Sequence, residues 1–117
     1  MGAPETQVRI DRKDGVSLIR YEGDITSFSE EAVLGSFREL KPEEHARILL
    51  DFSGVEYINS SGIALIITLL MEGGKQGQAI HCFGLSDHFR RVFEMVGLMR
   101  YTTLHPSEEE GIAGLNA

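Results

Sequence analysis

Ser60, Ser61 and Gly62 follow a compact apolar run at residues 47–51 and a short loop, and they open a second apolar stretch at residues 63–71. The first run reads as the end of a buried strand, and the second as a helix. Two serines at a helix mouth place hydroxyls beside unpaired backbone N–H groups and the positive end of the helix dipole. That is a seat for a phosphate. Such a serine has an ordinary role, as an N-cap whose oxygen accepts a backbone N–H bond. It also has a chemical role, as a phosphoacceptor, and the two are compatible. A phosphate would add about −1.5 to −2 charges and three acceptor oxygens. The helix N-terminus would tolerate it, so the expectation is an intact fold with an altered surface. A partner that accepts a neutral hydroxyl would reject a dianion.

The other reactive side chains form no constellation in the sequence. His45, His81, His88 and His105 are scattered without metal-ligand spacing. Cys82 is the one cysteine; in an apolar strand it reads as a small core residue, and alone it builds neither a disulfide nor a thiolate metal site. Arg90 and Glu94 have the i, i+4 spacing of a solvated helix face. Gly73, Gly74 and Gly77 follow a helix rather than a strand, so they are no phosphate loop. With no paired carboxylates and no nucleophile–base pair, neither an enzyme nor a cofactor is expected.

The chain has 117 residues, with 18 acidic against 11 basic and a net charge of −7. That balance excludes a broad nucleic-acid surface, which needs a basic stripe. Residues 63–71 are too few to span a bilayer. Residues 1–6 carry neither a basic region nor an apolar one, so no signal peptide is expected. A single cysteine fits a reducing cytoplasm.

These residues need a frame. Val8 and Ile10, then Val16, Leu18 and Tyr21, predict two strands joined by a hairpin at Asp14-Gly15. Gly23-Asp24 closes the second. Ser29 is the expected cap of a first helix, with Phe28 and Val33 spaced as a hydrophobic staple; Val33, Phe37 and Leu40 continue its face, and Pro42 stops it. Residues 47–51 lack alternation, as in a strand buried on both faces. A helix over about 60–73 ends at Gly73-Gly74, and a strand follows over 78–83. Ser86 caps a helix with Phe89, Val92, Phe93 and Val96 on one face, and Gly97 ends it. The last strand is expected over 100–104. Ser107 and Glu110 then open a short helix as a capping box. The order β-β-α-β-α-β-α-β-α implies one α/β domain over residues 1–117, with its core at about 6–115. Its sheet is mixed and mostly parallel, with helices mainly on one face.

The residues from Asp51-Phe-Ser-Gly-Val through Asn59-Ser60-Ser61-Gly62 resemble the central motif of the STAS domain of bacterial anti-sigma factor antagonists. Gly23-Asp24-Ile25 is similar to the family's early glycine-acidic-apolar step. The segment from Ser86 to Gly97-Leu98, with Arg91-Val-Phe93 inside it, is similar to its third helix. The resemblance covers most of the chain in the right order. It implies a non-enzymatic partner of a serine-kinase anti-sigma factor, phosphorylated at Ser60, with Ser61 as runner-up, and reset by a phosphatase. It implies a partner surface of Asp24, Asn59, Ser60, Ser61 and Gly62. Leu65 and Leu69 lie off the core stripe of Ile63, Ile66, Ile67 and Leu70, and would extend that surface as an apolar edge if they are not simply covered. The family usually has aspartate where this chain has Asn59, and often where it has Thr26. Those departures favour one alternative, a STAS scaffold without phosphate control; the helix N-terminus at Ser60–Gly62 offers another, a small-ligand or nucleotide-binding STAS module.

Overall fold

A computed structural model describes residues 6–117; the amino-terminal residues 1–5, on which most of the leader reading rests, lie outside it. Strands β1 (Gln7–Lys13) and β2 (Val16–Glu22) form the expected hairpin. Asp14 and Gly15 both have positive φ, 53° and 78°. That is the backbone a two-residue turn needs to match strand twist, and Asp-Gly supplies it. Strands β3 (Arg47–Gly54), β4 (Ala79–Phe83) and β5 (Leu104–His105) then add in parallel, so the spatial order is β1-β2-β3-β4-β5.

The sheet has two apolar faces, because alternate residues of the inner strands point to opposite sides. Ile19, Tyr21, Ile48, Leu50, Phe52, Ile80 and Cys82 face the larger core. It is covered by α2 (Ser60–Lys75), α3 (Asp87–Met95) and the first helical segment. Val16, Leu18, Leu49 and Phe83 face a smaller core closed by Ile112 and Leu115 of α4 (Glu108–Asn116). Residues 48–52 are all buried, as a run without alternation predicts.

Several local expectations are corrected. The first helical segment is a 3-10 turn (Ser27–Ser29), a π-helical stretch (Glu31–Gly35) and one α-helical turn, α1 (Ser36–Arg38). Its cap is Thr26, not Ser29. Ser29 is buried and its oxygen accepts from Thr26 N–H at 2.9 Å. Phe28 is 97% exposed and staples nothing. Helix α2 continues through Gly73 and Gly74 to Lys75, because Gly73 packs on Ile80 and the intrahelical ladder runs on to Gln76 N–H. The last strand keeps only two residues: Leu98–Arg100 is a 3-10 turn, and Thr102 turns inward, donating to Ile80 O at 2.8 Å. Arg90 pairs with Asp87, three residues before it, at 3.4 Å. Ser86 and Ser107 cap their helices as expected, each accepting an N–H three residues on at 3.2 Å.

Two buried polar groups stand in the larger core. Burial pushes the Cys82 thiol up to about 12, so it is protonated at neutral pH. The Tyr21 hydroxyl is buried and has no hydrogen-bond partner. Its ring packs on Phe52 at 5.3 Å between centroids. An unmade hydrogen bond costs a buried hydroxyl about 1–3 kcal/mol. Tyr21→Phe keeps the ring and removes the orphan, so urea melts are expected to show a gain of about 1 kcal/mol. A loss of stability would mean that a bound water holds the hydroxyl.

Candidate functional site

The start of α2 is held by two crossing loops. After β3, Ile58 forms a parallel bridge with Ile25. Ile25 N–H donates to Tyr57 O at 3.0 Å, and Asn59 N–H donates to Ile25 O at 3.1 Å. Both isoleucines are buried, which fixes the crossing from below. Gly62 then brings the helix backbone onto the Ile25 carbonyl. A Cβ at residue 62 would lie 2.8 Å from the Ile25 carbonyl carbon and 2.9 Å from Ile58 Cγ2. Only glycine allows that approach. The spacing of Gly23-Asp24-Ile25 and of Asn59–Gly62 therefore serves one joint. Asp24 adds to it through its backbone: its carbonyl accepts the Thr6 hydroxyl at 2.7 Å.

The cap of α2 is Asn59. Its Oδ1 accepts Gly62 N–H at 2.8 Å. The serine cap expected from the sequence is thus corrected, and the correction frees the serines. Ser60 and Ser61 occupy the first two helical positions, and both are exposed. Thr26 does comparable work across the joint, capping the 3-10 turn through Phe28 N–H at 3.2 Å. Both neutral side chains at the positions that lack carboxylates are thereby engaged in capping.

The apolar surface beside Ser60 differs from the expected one. Leu69 is fully buried beneath the helix and offers nothing to a partner; Leu65 is half-buried against the core. Ile63, placed on the core stripe by its spacing, packs against the core and also lines a groove of about 290 Å³ with Tyr57, Phe89, Val92 and Val96, and Asn59 and Ser60 border it. Val96 is half-exposed, not part of the buried face of α3. Tyr57, 52% exposed, gives this surface an aromatic edge. No sequence signal marks it, because it lies in the loop between β3 and α2, outside any strand or helix periodicity. Helical spacing put Val92 near Phe89, but not across from Ile63. His88 joins the same groove and stacks edge-on against Phe89, at 4.8 Å between centroids.

The site can present an exposed alcohol at a helix N-terminus, rimmed by apolar and aromatic side chains. Among the described residues no three His, Cys, Asp or Glu side chains gather as a metal site, and no helix is long and apolar enough to cross a membrane.

Comparison with known proteins gives the same architecture. A family model described as "Mlab, STAS domain" matches residues 8–105. A proposed anti-sigma factor antagonist, BtrV of Bordetella bronchiseptica, is 24% identical over 108 residues, covering 92% of each chain. An anti-sigma factor antagonist from Mycobacterium paratuberculosis superposes with a TM-score of 0.78 at 20% identity, over 97% of this chain and 96% of that one. The Bacillus cell fate determinant SpoIIAA, an anti-sigma factor antagonist, is similar in both its forms. Unphosphorylated, its TM-score is 0.73 at 18% identity over 95% and 99% of the two chains. Phosphorylated, it is 0.65 at 18% identity over 92% and 98%. The extent of the match, the strand order and the helix that opens at Asn59-Ser60-Ser61-Gly62 agree: this chain belongs to the STAS domain family.

Proposed function

We propose that this protein is an anti-sigma factor antagonist whose partner choice is set by phosphorylation of Ser60. One observation carries the reading. Asn59 caps α2, so the Ser60 hydroxyl at the first helical position is exposed on the rim of an apolar groove. Unphosphorylated, the rim and groove bind a serine-kinase anti-sigma factor in the cytoplasm and release its client. The kinase transfers phosphate from ATP to Ser60. The helix N-terminus accommodates the new charge. The kinase complex does not, because the phosphate would be desolvated against Ile63, Tyr57 and Val92. A phosphatase restores the hydroxyl, and the cycle is a differential-affinity switch. The protein itself performs no chemistry.

The test is phosphopeptide mapping of protein from its native host, growing and stressed, beside Ser60→Ala. Phosphate at Ser60 that varies with condition is the expected result. Because the cap is Asn59, Ser60→Ala should change stability by no more than about 0.5 kcal/mol. The same variant should stay bound to the kinase when ATP is added, whereas the natural protein loses at least tenfold in affinity. Phosphate on Ser61 alone would move the switch by one residue.

A second reading has its own support. Asn59 and Thr26 are both engaged as caps, so the neutral residues at these positions are accounted for by structure alone. A STAS scaffold without phosphate control needs nothing more. Unmodified protein in every condition, with undiminished binding by Ser60→Ala, would establish that reading instead.

A further inference from the structure

On the opposite face of the sheet from the larger core, His81 and His105 meet. Phe83 and His105 are register partners, and His81 shares the face of Phe83 two residues away. Nδ1 of His81 lies 2.9 Å from Nε2 of His105. The rings are 29° from parallel, with centroids 5.0 Å apart. Both residues are half-buried. Helix α4 closes one side of the pair through Gly114. A Cβ there would stand 2.6 Å from His105 Cε1, 2.9 Å from its Nε2 and 3.5 Å from His81 Nδ1. The missing side chain keeps the ring nitrogens unobstructed. Nothing in the partner-binding surface uses this pair, which the scattered positions of the four histidines in the sequence did not announce.

We propose that His81 and His105 form a two-nitrogen chelate for a late divalent transition metal, Ni(II) or Cu(II). A metal–imidazole bond is about 2.0–2.1 Å, so two such bonds at a right angle hold their nitrogens about 2.9 Å apart. The hydrogen-bonded pair holds its nitrogens 2.9 Å apart, facing nearly head-on, so a tilt of the rings turns both lone pairs onto one ion without moving the nitrogens apart. Imidazole donors bind Ni(II) and Cu(II) more strongly than the earlier divalent first-row ions. Right-angled nitrogen donors are those of tetragonal Ni(II) and Cu(II) sites. In the metal-free pair one ring donates its N–H to the other. On binding, the donor ring moves that proton to its second nitrogen, so both facing nitrogens offer lone pairs and the neutral pair releases no proton overall. Water completes the coordination shell of the half-buried pair. The chelate would also staple the two-residue strand β5 to β4.

Titration of the untagged full chain with NiCl2, by calorimetry and by ring-nitrogen NMR, tests the site. The expected result is one equivalent bound, with paramagnetic broadening centred on the His81 and His105 ring signals. Affinity should fall at least tenfold in His81→Asn and in His105→Asn and be unchanged in His88→Asn. Thermal melting of the natural chain should rise with NiCl2, as for any ligand that binds only the native state. Broadening centred on His45 or His88, or binding undiminished in the double variant, would overturn the assignment. The NMR arm uses the natural chain, so it decides the matter even if a histidine variant fails to fold.

Discussion

Gly62→Ala is expected to lower the free energy of unfolding by about 2–3 kcal/mol, the cost of forcing a methyl into a packed contact. Alanine is the better helix former by about 1 kcal/mol, so an isolated helix would gain. Here the methyl meets backbone rather than a movable side-chain tip, 2.8 Å from the Ile25 carbonyl carbon. To admit it, the helix must lift from residue 25, and the bonds that flank Ile25 lengthen. The joint below Ser60 loosens, and partner binding should weaken even where the fold survives. Gly74→Ala in the same helix is the control. Nothing lies within 4 Å of a Cβ there, so helix propensity acts alone and urea melts should show no loss, or a gain of up to about 1 kcal/mol. Equal effects at the two glycines would refute the close-approach account.

Arg20→Met is the second large effect, an expected loss of about 2–4 kcal/mol. Arg20 gathers three carboxylates: Asp11 at 2.6 Å, Asp51 at 2.9 Å and Glu108 at 2.7 Å. Those contacts hold its guanidinium pKa above the usual value, Glu108 contributing most. Asp11 and Glu108 are partly exposed and water can take over from the lost partner, so they contribute little. Asp51 is buried, with a side chain only 8% exposed. Without Arg20 it keeps the Ser53 backbone and hydroxyl donors, at 2.9 and 2.5 Å, but no countercharge. Adding Asp51→Asn should therefore recover much of the loss, and a double-mutant cycle in urea measures it. The same arginine ties the first turn of α4 to the sheet, so amide exchange in α4 should quicken in Arg20→Met before it does elsewhere. Additive effects of the two substitutions would show that the ion pair is not the cause.

Asp51 also shows how far sequence reading reached. As part of Asp51-Phe-Ser-Gly-Val it was legible as motif, yet its task was not, since Arg20 and Glu108 come from distant parts of the chain. Elements fixed by local chemistry were read correctly: the Asp14-Gly15 turn, the doubly buried run of β3, and the caps Ser86 and Ser107. Ser29 and Phe28 misled because a serine, two glutamates and an apolar pair carry the signature of a helix start. The chain satisfies that signature one turn earlier with Thr26, and turns Phe28 outward. Leu69 and Val96 were assigned to the wrong surfaces for a related reason. Periodicity gives the angle of a residue around its helix, but not which side of the helix the sheet occupies. The exposed place of Ser60 was legible from the loop before it; the groove at its side, with Tyr57 from that loop and Val92 and Val96 from another helix, depends on neighbours that only the fold supplies.

The strands lie side by side in the same order in which the chain presents them. A nascent chain emerging from the ribosome therefore offers every new strand an edge that is already made. No strand has to wedge between two others, although each parallel pairing, such as Leu18 with Leu49, still waits for its crossover to close. Helix α4 follows all five strands and covers a face they have already made, so the growing chain carries that small apolar surface bare until α4 emerges.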